Sequence, residues 1–198
     1  MIDYHLPPGC VEYSFQDGNK WVNYHGKSVR SVSKILNRIY PLPPDLPQWY
    51  LDRGKMVHAA TVLIDNGTLD WEALDERIKP FCDAYKYFLE TARPVMEATE
   101  LVVVHPSYAY GGRMDREISL PGQTRLIVAD IKCGTGKEDR YWLQVAALAV
   151  ALDETHVEDY DLALLNLDNK GHPHFTCADN PGDWVNRWRE VLRNDAAG

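Results

Sequence analysis

Residues 110–115 read Tyr110-Gly111-Gly112-Arg113-Met114-Asp115, and residues 128–132 read Val128-Ala129-Asp130-Ile131-Lys132. Between them Pro121-Gly122 marks a turn. Tyr108 to Ile118 and Leu126 to Ile131 are therefore expected as strands, the second apolar enough to be central in a sheet. Side chains two apart on a strand leave the same face, so Asp130 and Lys132 project together while Ile131 points away. A carboxylate and an ammonium among apolar neighbours are costly to bury unless paired or bound to something. Fourteen residues separate Asp115 from Asp130, a hairpin's length that can bring the two carboxylates together. Close carboxylates repel, and a hard divalent cation removes the repulsion. A salt bridge among three strand-end residues is the alternative the spacing leaves open.

Working outward, Leu101 to Val104 is a β-branched run that precedes this pair. Upstream, Val11–Phe15 and Trp21–Tyr24 flank the turn sequence Gln16-Asp17-Gly18-Asn19, which predicts a hairpin. Ser28 to Ile39 reads as a helix with an apolar stripe through Val32, Ile35, Leu36 and Ile39. Pro41, Pro43, Pro44 and Pro47 make a rigid connector. Trp49 to Asp65 is a second helix, stopped by Asn66-Gly67. Asp70 is placed to cap a short helix through Ile78, and Pro80 suits the first turn of a longer one to about Arg93. Downstream, Asp139 to Leu152 is helical and apolar almost all round, hence buried. Tyr160 to Leu167 is a strand, Asn169-Lys170-Gly171 turns into another, and Asp183 to Arg193 is an amphipathic helix. This order predicts an α/β fold with a central mixed sheet flanked by helices. A single domain over 1–198 is expected, with 1–50 forming the hairpin, helix and connector and 51–195 the core.

The chain has 198 residues, 45% of them apolar and 25% charged, a balance that excludes disorder. No apolar run reaches the ~18 residues of a membrane span, and the N-terminus does not read as a secretory signal. Cys10, Cys82, Cys133 and Cys177 are widely spaced, so they read as reduced thiols in a cytoplasmic protein. The net charge of −8 argues against a nucleic-acid partner until its distribution is read. From Lys20 to Lys55 there are seven basic and two acidic residues; from Tyr141 onward there are ten acidic and four basic. Lys27, Arg30, Lys34 and Arg38 are spaced three, four and four apart. If all lie on the helix through Ile39, they form one basic side suited to backbone phosphates.

The chemistry follows from these residue types. Mg²⁺ or Mn²⁺ held by Asp115 and Asp130 would polarise a phosphodiester and acidify a bound water. Lys132 would orient that water or stabilise charge on phosphorus. Glu100 opens the preceding strand and offers another carboxylate; a solvated strand end is its ordinary alternative. Gln144 is the one polar residue within Leu143–Leu152, and orients a catalytic group or satisfies buried backbone. Gly134-Thr135-Gly136-Lys137 is not a P-loop, because Glu138 stands where Ser or Thr is required.

Asp115 followed by Asp130-Ile131-Lys132 resembles the core of the PD-(D/E)XK nuclease superfamily, and the wider pattern is similar to its RecB-like and Cas4-like exonuclease branch, phage members included. Ser31-Val32-Ser33-Lys34-Ile35-Leu36, Arg53-Gly54-Lys55-Met56-Val57-His58, Tyr110 to Asp115, and Lys132-Cys133-Gly134 carry that resemblance over roughly residues 28–152. It implies a restriction-endonuclease-like core and a metal-dependent DNA nuclease, an exonuclease in recombination or end processing before a site-specific endonuclease. It implies His58 as a metal ligand beside Asp115 and Asp130; Glu100 is a further candidate ligand from its place on the strand, and DNA contacts are expected from Arg113 as well as Lys27, Arg30, Lys34 and Arg38. It leaves room for a recombination partner protein and for a homo-oligomer. Two departures stand. Leu148 occupies the tyrosine place of the usual Gln-x-x-x-Tyr helix that Gln144 opens, and the cysteine trio of cluster-bearing members is missing, so no iron–sulfur cluster is expected. A nucleic-acid-binding or assembly subunit with a vestigial site is the alternative.

Overall fold

The structure, a computed structural model, describes residues 10–14, 20–134, 136 and 138–196. In chain order the elements are β1 (Cys10–Ser14), β2 (Lys20–Tyr24), β3 (Lys27–Ser28), β4 (Arg30–Ser31), α1 (Val32–Ile39), α2 (Gln48–Asp65), α3 (Lys79–Ala92), β5 (Val95–His105), β6 (Tyr110–Ser119), β7 (Leu126–Cys133), α4 (Asp139–Leu152), β8 (Tyr160–Leu167), β9 (Pro173–Cys177) and α5 (Pro181–Ala196). β1, β2 and β3 form a small antiparallel sheet; the turn expected at 16–19 lies outside the described residues. The main sheet runs β4-β6-β7-β8-β9, with β5 also paired to β6. It is mixed, because β4 joins β6 and β7 joins β8 in parallel while the other pairs are antiparallel.

Strand alternation splits β7 between two cores. Val128 belongs to the cluster formed with α1, α4 and α5, whereas Ile127, Ala129 and Ile131 pack with α2 and α3. A strand apolar on both sides must be covered on both sides, and helices do so here. α4 fits the more enclosed side: Leu143 and Val145 to Val150 are all buried against the sheet. Pro80 lies in the first turn of α3, and Arg93 closes it in the left-handed region at φ 50°.

Two expected elements differ. The helix read from Ser28 begins at Val32, because Ser31 is its N-cap and its Oγ accepts from Lys34 N at 3.2 Å. Ahead of the cap, Arg30-Ser31 pairs with Tyr110-Gly111 as a strand. Lys27 and Arg30 are therefore off the helix, and the single basic side expected through Lys27, Arg30, Lys34 and Arg38 does not form. The short helix from Asp70 to Ile78 is replaced by turns. Asp70 Oδ1 accepts from Glu72 N and Ala73 N, and Asp75 Oδ1 from Arg77 N, so the aspartates satisfy the amides locally.

Gly111 and Gly112 let neighbours approach β6. A Cβ on Gly111 would overlap the backbone carbonyl of Val103 on β5, while one on Gly112 would crowd Leu148 Cδ2 of α4, at 2.9 Å, and touch Val32 at ordinary contact distance. Backbone cannot yield as a leucine methyl can. Gly111→Ala should therefore cost about 3 kcal/mol or more, and Gly112→Ala about 1 kcal/mol, in denaturant midpoints at unchanged slope. Equal losses would contradict this account.

Candidate active site

The site begins with a fork in the sheet. β5 follows one edge of β6 from Tyr110 to Ser119. The other edge pairs with β4 at Tyr110-Gly111 and with β7 only at Arg116–Ile118, leaving an opening between. Asp115 stands where β6 and β7 part, and its Oδ2 accepts from Ile131 N at 2.7 Å, in place of a ladder bond. Alternation breaks there: Met114 packs with the α4 cluster, but Arg116 reaches Thr61 of α2 and Tyr85 of α3. On β5, between the pairs Thr99↔Arg116 and Leu101↔Met114, Glu100 adopts φ 52°. A left-handed glutamate inside a strand is strained backbone, and here it turns its carboxylate toward Asp115.

α2 supplies the third member. His58 Nδ1 lies 3.4 Å from Asp115 Oδ1 and 3.8 Å from Glu100 Oε1. One ligand atom each from His58, Glu100 and Asp115 lie within 4.8 Å of one another, a spacing that fits a single metal ion. Glu100 Oε1 is buried without a hydrogen-bond partner, and Glu100 and Asp115 are themselves 7% and 6% exposed. Two buried carboxylates and an imidazole, one oxygen left unsatisfied, are a donor set that suits a divalent metal ion.

Asp130 belongs to a neighbouring group. It pairs with Lys132 Nζ and accepts from Gln144 Nε2 at 3.0 Å, while Gln144 Oε1 accepts from Lys132 Nζ at 3.2 Å. The closed triangle of Asp130, Lys132 and Gln144 fixes the ammonium. Burial opposes a charge on Lys132, but Asp130 and Asp115 outweigh it and raise its pKa, so it stays an ammonium, a charged hydrogen-bond donor and not a base. Burial also pushes the Asp130 carboxyl up, against the pull of Lys132. For Asp115 burial acts upward, yet the charge and hydrogen bond of His58 prevail and hold it below the usual carboxylate range. Burial likewise disfavours the charged ring of His58, but Asp115 raises its pKa well above the ordinary 6.5.

A cleft of about 600 Å³ opens on this group, lined by Ser33, Lys55, His58, Glu100 and Arg113 among others. A second recess, bordered by Ser31, Ser33, Gly112, Arg113 and Gln144, adjoins it. Arg113 reaches within 3.7 Å of Glu100 Oε2. Of the expected metal ligands, the structure brings His58, Glu100 and Asp115 together and ties Asp130 to Lys132. Of the expected basic contacts, Arg30 and Arg38 converge on Asp195 of α5, Lys34 is exposed on α1, and the Lys27 side chain lies outside the described residues. The sequence reading passed over Lys55, Ser33 and the buried Arg116 with its partners Asp65, Thr61 and Tyr85. Three successive charges, Asp115-Arg116-Glu117, inside a strand were the available signal for Arg116.

No protein-family model matches the chain, and neither does any curated protein. Among solved structures the chain is similar to the crystal structure of LHK-Exo in complex with dAMP, at 14% identity and TM-score 0.48, over 85% of this chain and 86% of that one. The assignment of chemistry rests on the site itself.

Protons and a divalent ion compete for this group. A histidine whose folded pKa exceeds its unfolded value binds its proton more tightly when folded, so its stabilisation is complete below about 6.5 and is lost as pH rises through the folded value. The metal-free protein should thus lose stability above neutrality, and added Mn²⁺ should restore it. Mn²⁺ affinity, measured by calorimetry at pH 6, 7 and 8, should still be rising beyond pH 6.5, with proton release on binding. His58→Asn should flatten that rise; an unchanged pH profile would show that His58 is no ligand.

Proposed function

We propose that this protein is a metal-dependent deoxyribonuclease of the PD-(D/E)XK type. The observation that carries the reading is the convergence of His58, Glu100 and Asp115 at an open sheet fork, with Lys132 clamped beside Asp130 next to it. His58, Glu100 and Asp115 would hold the ion, and the Asp130 carboxylate, shared with Lys132, would join them. A divalent ion held there supplies Lewis acidity toward a phosphodiester oxygen and makes a bound water more acidic.

The chain's own groups do the remainder. Lys132 keeps its proton through Asp130 and Asp115, so Nζ donates to the phosphoryl oxygen on which charge develops. Gln144 fixes Nζ and Asp130 at once, so the donor need not reorganise during the reaction. Arg113 and Lys55 at the cleft supply positive charge toward backbone phosphates. Ser33, shared by the cleft and the adjoining recess, offers a neutral hydrogen bond. The finer proposal is an exonuclease of recombination or end processing. Among the described residues no helix is long and apolar enough to cross a membrane.

End-labelled single- and double-stranded DNA should be degraded with Mn²⁺ or Mg²⁺ and not with EDTA. Asp115→Ala, Asp130→Ala and Lys132→Ala should each lower turnover by about 10²-fold or more. Lys132→Ala should leave Mn²⁺ binding nearly intact, whereas Asp115→Ala should not. Full activity in Lys132→Ala would overturn the mechanism, and no cleavage by the wild type under any metal would favour a vestigial binding subunit.

DNA binding in Ca²⁺ tests the basic contacts separately. Lys34 on α1 and Lys55 at the cleft are exposed and are expected to contribute phosphate contacts. Lys34→Ala with Lys55→Ala should weaken binding across all sequences and reduce the salt slope by about one per lost contact. An unchanged slope would remove both residues from the interface.

A further inference from the structure

Beneath the metal group lies a buried cation that the mechanism above does not use. Arg116 is 2% exposed, and its donors are almost fully committed. Nε donates to Tyr85 OH at 3.0 Å, one terminal nitrogen to the Asp115 carbonyl at 2.7 Å, and the other to Thr61 Oγ1 at 2.9 Å. That last nitrogen also lies 2.7 Å from Asp65 Oδ2, and Tyr85 OH donates to Asp65 Oδ1 at 2.7 Å. Arg116 stands only 3.6 Å from Glu100 Oε1, the buried oxygen left without a hydrogen bond. A guanidinium beside an unsatisfied carboxylate in a low-dielectric interior closes on it unless held elsewhere. The nitrogen nearest Glu100 is the one bonded to the Asp115 carbonyl, and among the groups that hold the guanidinium, Asp65, two helical turns beyond His58 on α2, supplies the opposing charge.

We infer that Asp65 is a positioning residue for the metal site: by taking the close ion pair with Arg116, it keeps that cation off Glu100 and leaves Glu100 Oε1 for the ion. This rests on the proposed metal-binding role of His58, Glu100 and Asp115. The consequence is specific. Loss of the Asp65 charge lets Arg116 pair with Glu100, so a residue that does not reach the ion governs its affinity through Glu100 alone. Partners behind metal ligands commonly change affinity by about 10- to 100-fold when removed.

The test is calorimetric titration of the metal-free protein with Mn²⁺ in wild type, Asp65→Asn, Glu100→Gln and the double variant. Asp65→Asn should weaken binding by about tenfold, and in the Glu100→Gln background the same change should have almost no effect. Tyr85→Phe, which removes the hydroxyl that braces both Asp65 and Arg116, should reproduce a smaller loss and serves if Asp65→Asn does not fold. Equal loss in both backgrounds would mean a general electrostatic or structural effect, and unchanged affinity in Asp65→Asn and Tyr85→Phe would mean no coupling; either overturns the inference alone. Absence of Mn²⁺ binding in the wild type would overturn the metal reading itself.

Discussion

Three carboxylates, Glu100, Asp115 and Asp130, are buried in one stretch of sheet, and the surrounding architecture is arranged around the charge they carry. Removing a carboxylate from water costs several kcal/mol even after relaxation, and neighbouring carboxylates add repulsion. Each is met by a cation from a different element. His58 of α2 faces Asp115, Lys132 of β7 faces Asp130, and Arg116 of β6 approaches Glu100. Replacing such groups with apolar residues is often neutral or stabilising, so their presence is poorly explained by stability. A divalent ion explains it better, because it satisfies the negative charge that the protein cations meet only in part.

The partial character of that compensation is visible in the distances. Asp130 has Lys132 in close contact with one oxygen and Gln144 on the other, whereas Glu100 has cations only at 3.6, 3.7 and 3.8 Å. The first arrangement fixes a charged hydrogen-bond donor in place. The second preserves an acceptor for something else. The left-handed backbone at Glu100 belongs with the second, since conformational strain in a strand persists only where surrounding structure enforces it. Here β6 enforces it, through the pairs on either side of Glu100.

The fork that exposes the site depends on the same packing. β6 and β7 separate beyond Arg116 because Asp115, not a ladder carbonyl, takes the Ile131 amide. Gly112 admits Leu148 against β6, so the leucine that stands in the expected tyrosine place is a packing residue. α5 then closes the arm onto the core, with Arg30 and Arg38 both drawn to Asp195. Trp188 of α5 donates to Tyr110 OH at 3.0 Å, anchoring the start of β6 from the other side.

The sequence by itself determined what depends on local period. Asp130 and Lys132 share a face because strands repeat every two residues, and α2, α3 and α4 fall close to where apolar spacing, Pro80 and Asn66-Gly67 place them. The mixed sheet between helices followed from the order of those patterns. Only the tertiary structure decided which carboxylates meet. Asp115 could be paired with Asp130 on hairpin length, yet the compact trio is His58, Glu100 and Asp115, because Asp115, next to Met114 on the α4 side, faces His58 of α2. The basic helix side dissolved for a similar reason. Arg30 is held in a strand by Tyr110 and Ala109, and its charge is spent on Asp195, 165 residues away. Arg116 had one local mark, its place among three successive charges inside a strand, but nothing local tied it to Asp65 on α2. Contacts between residues far apart in the chain depend on how whole elements pack, and periodicity within an element carries no information about its partner.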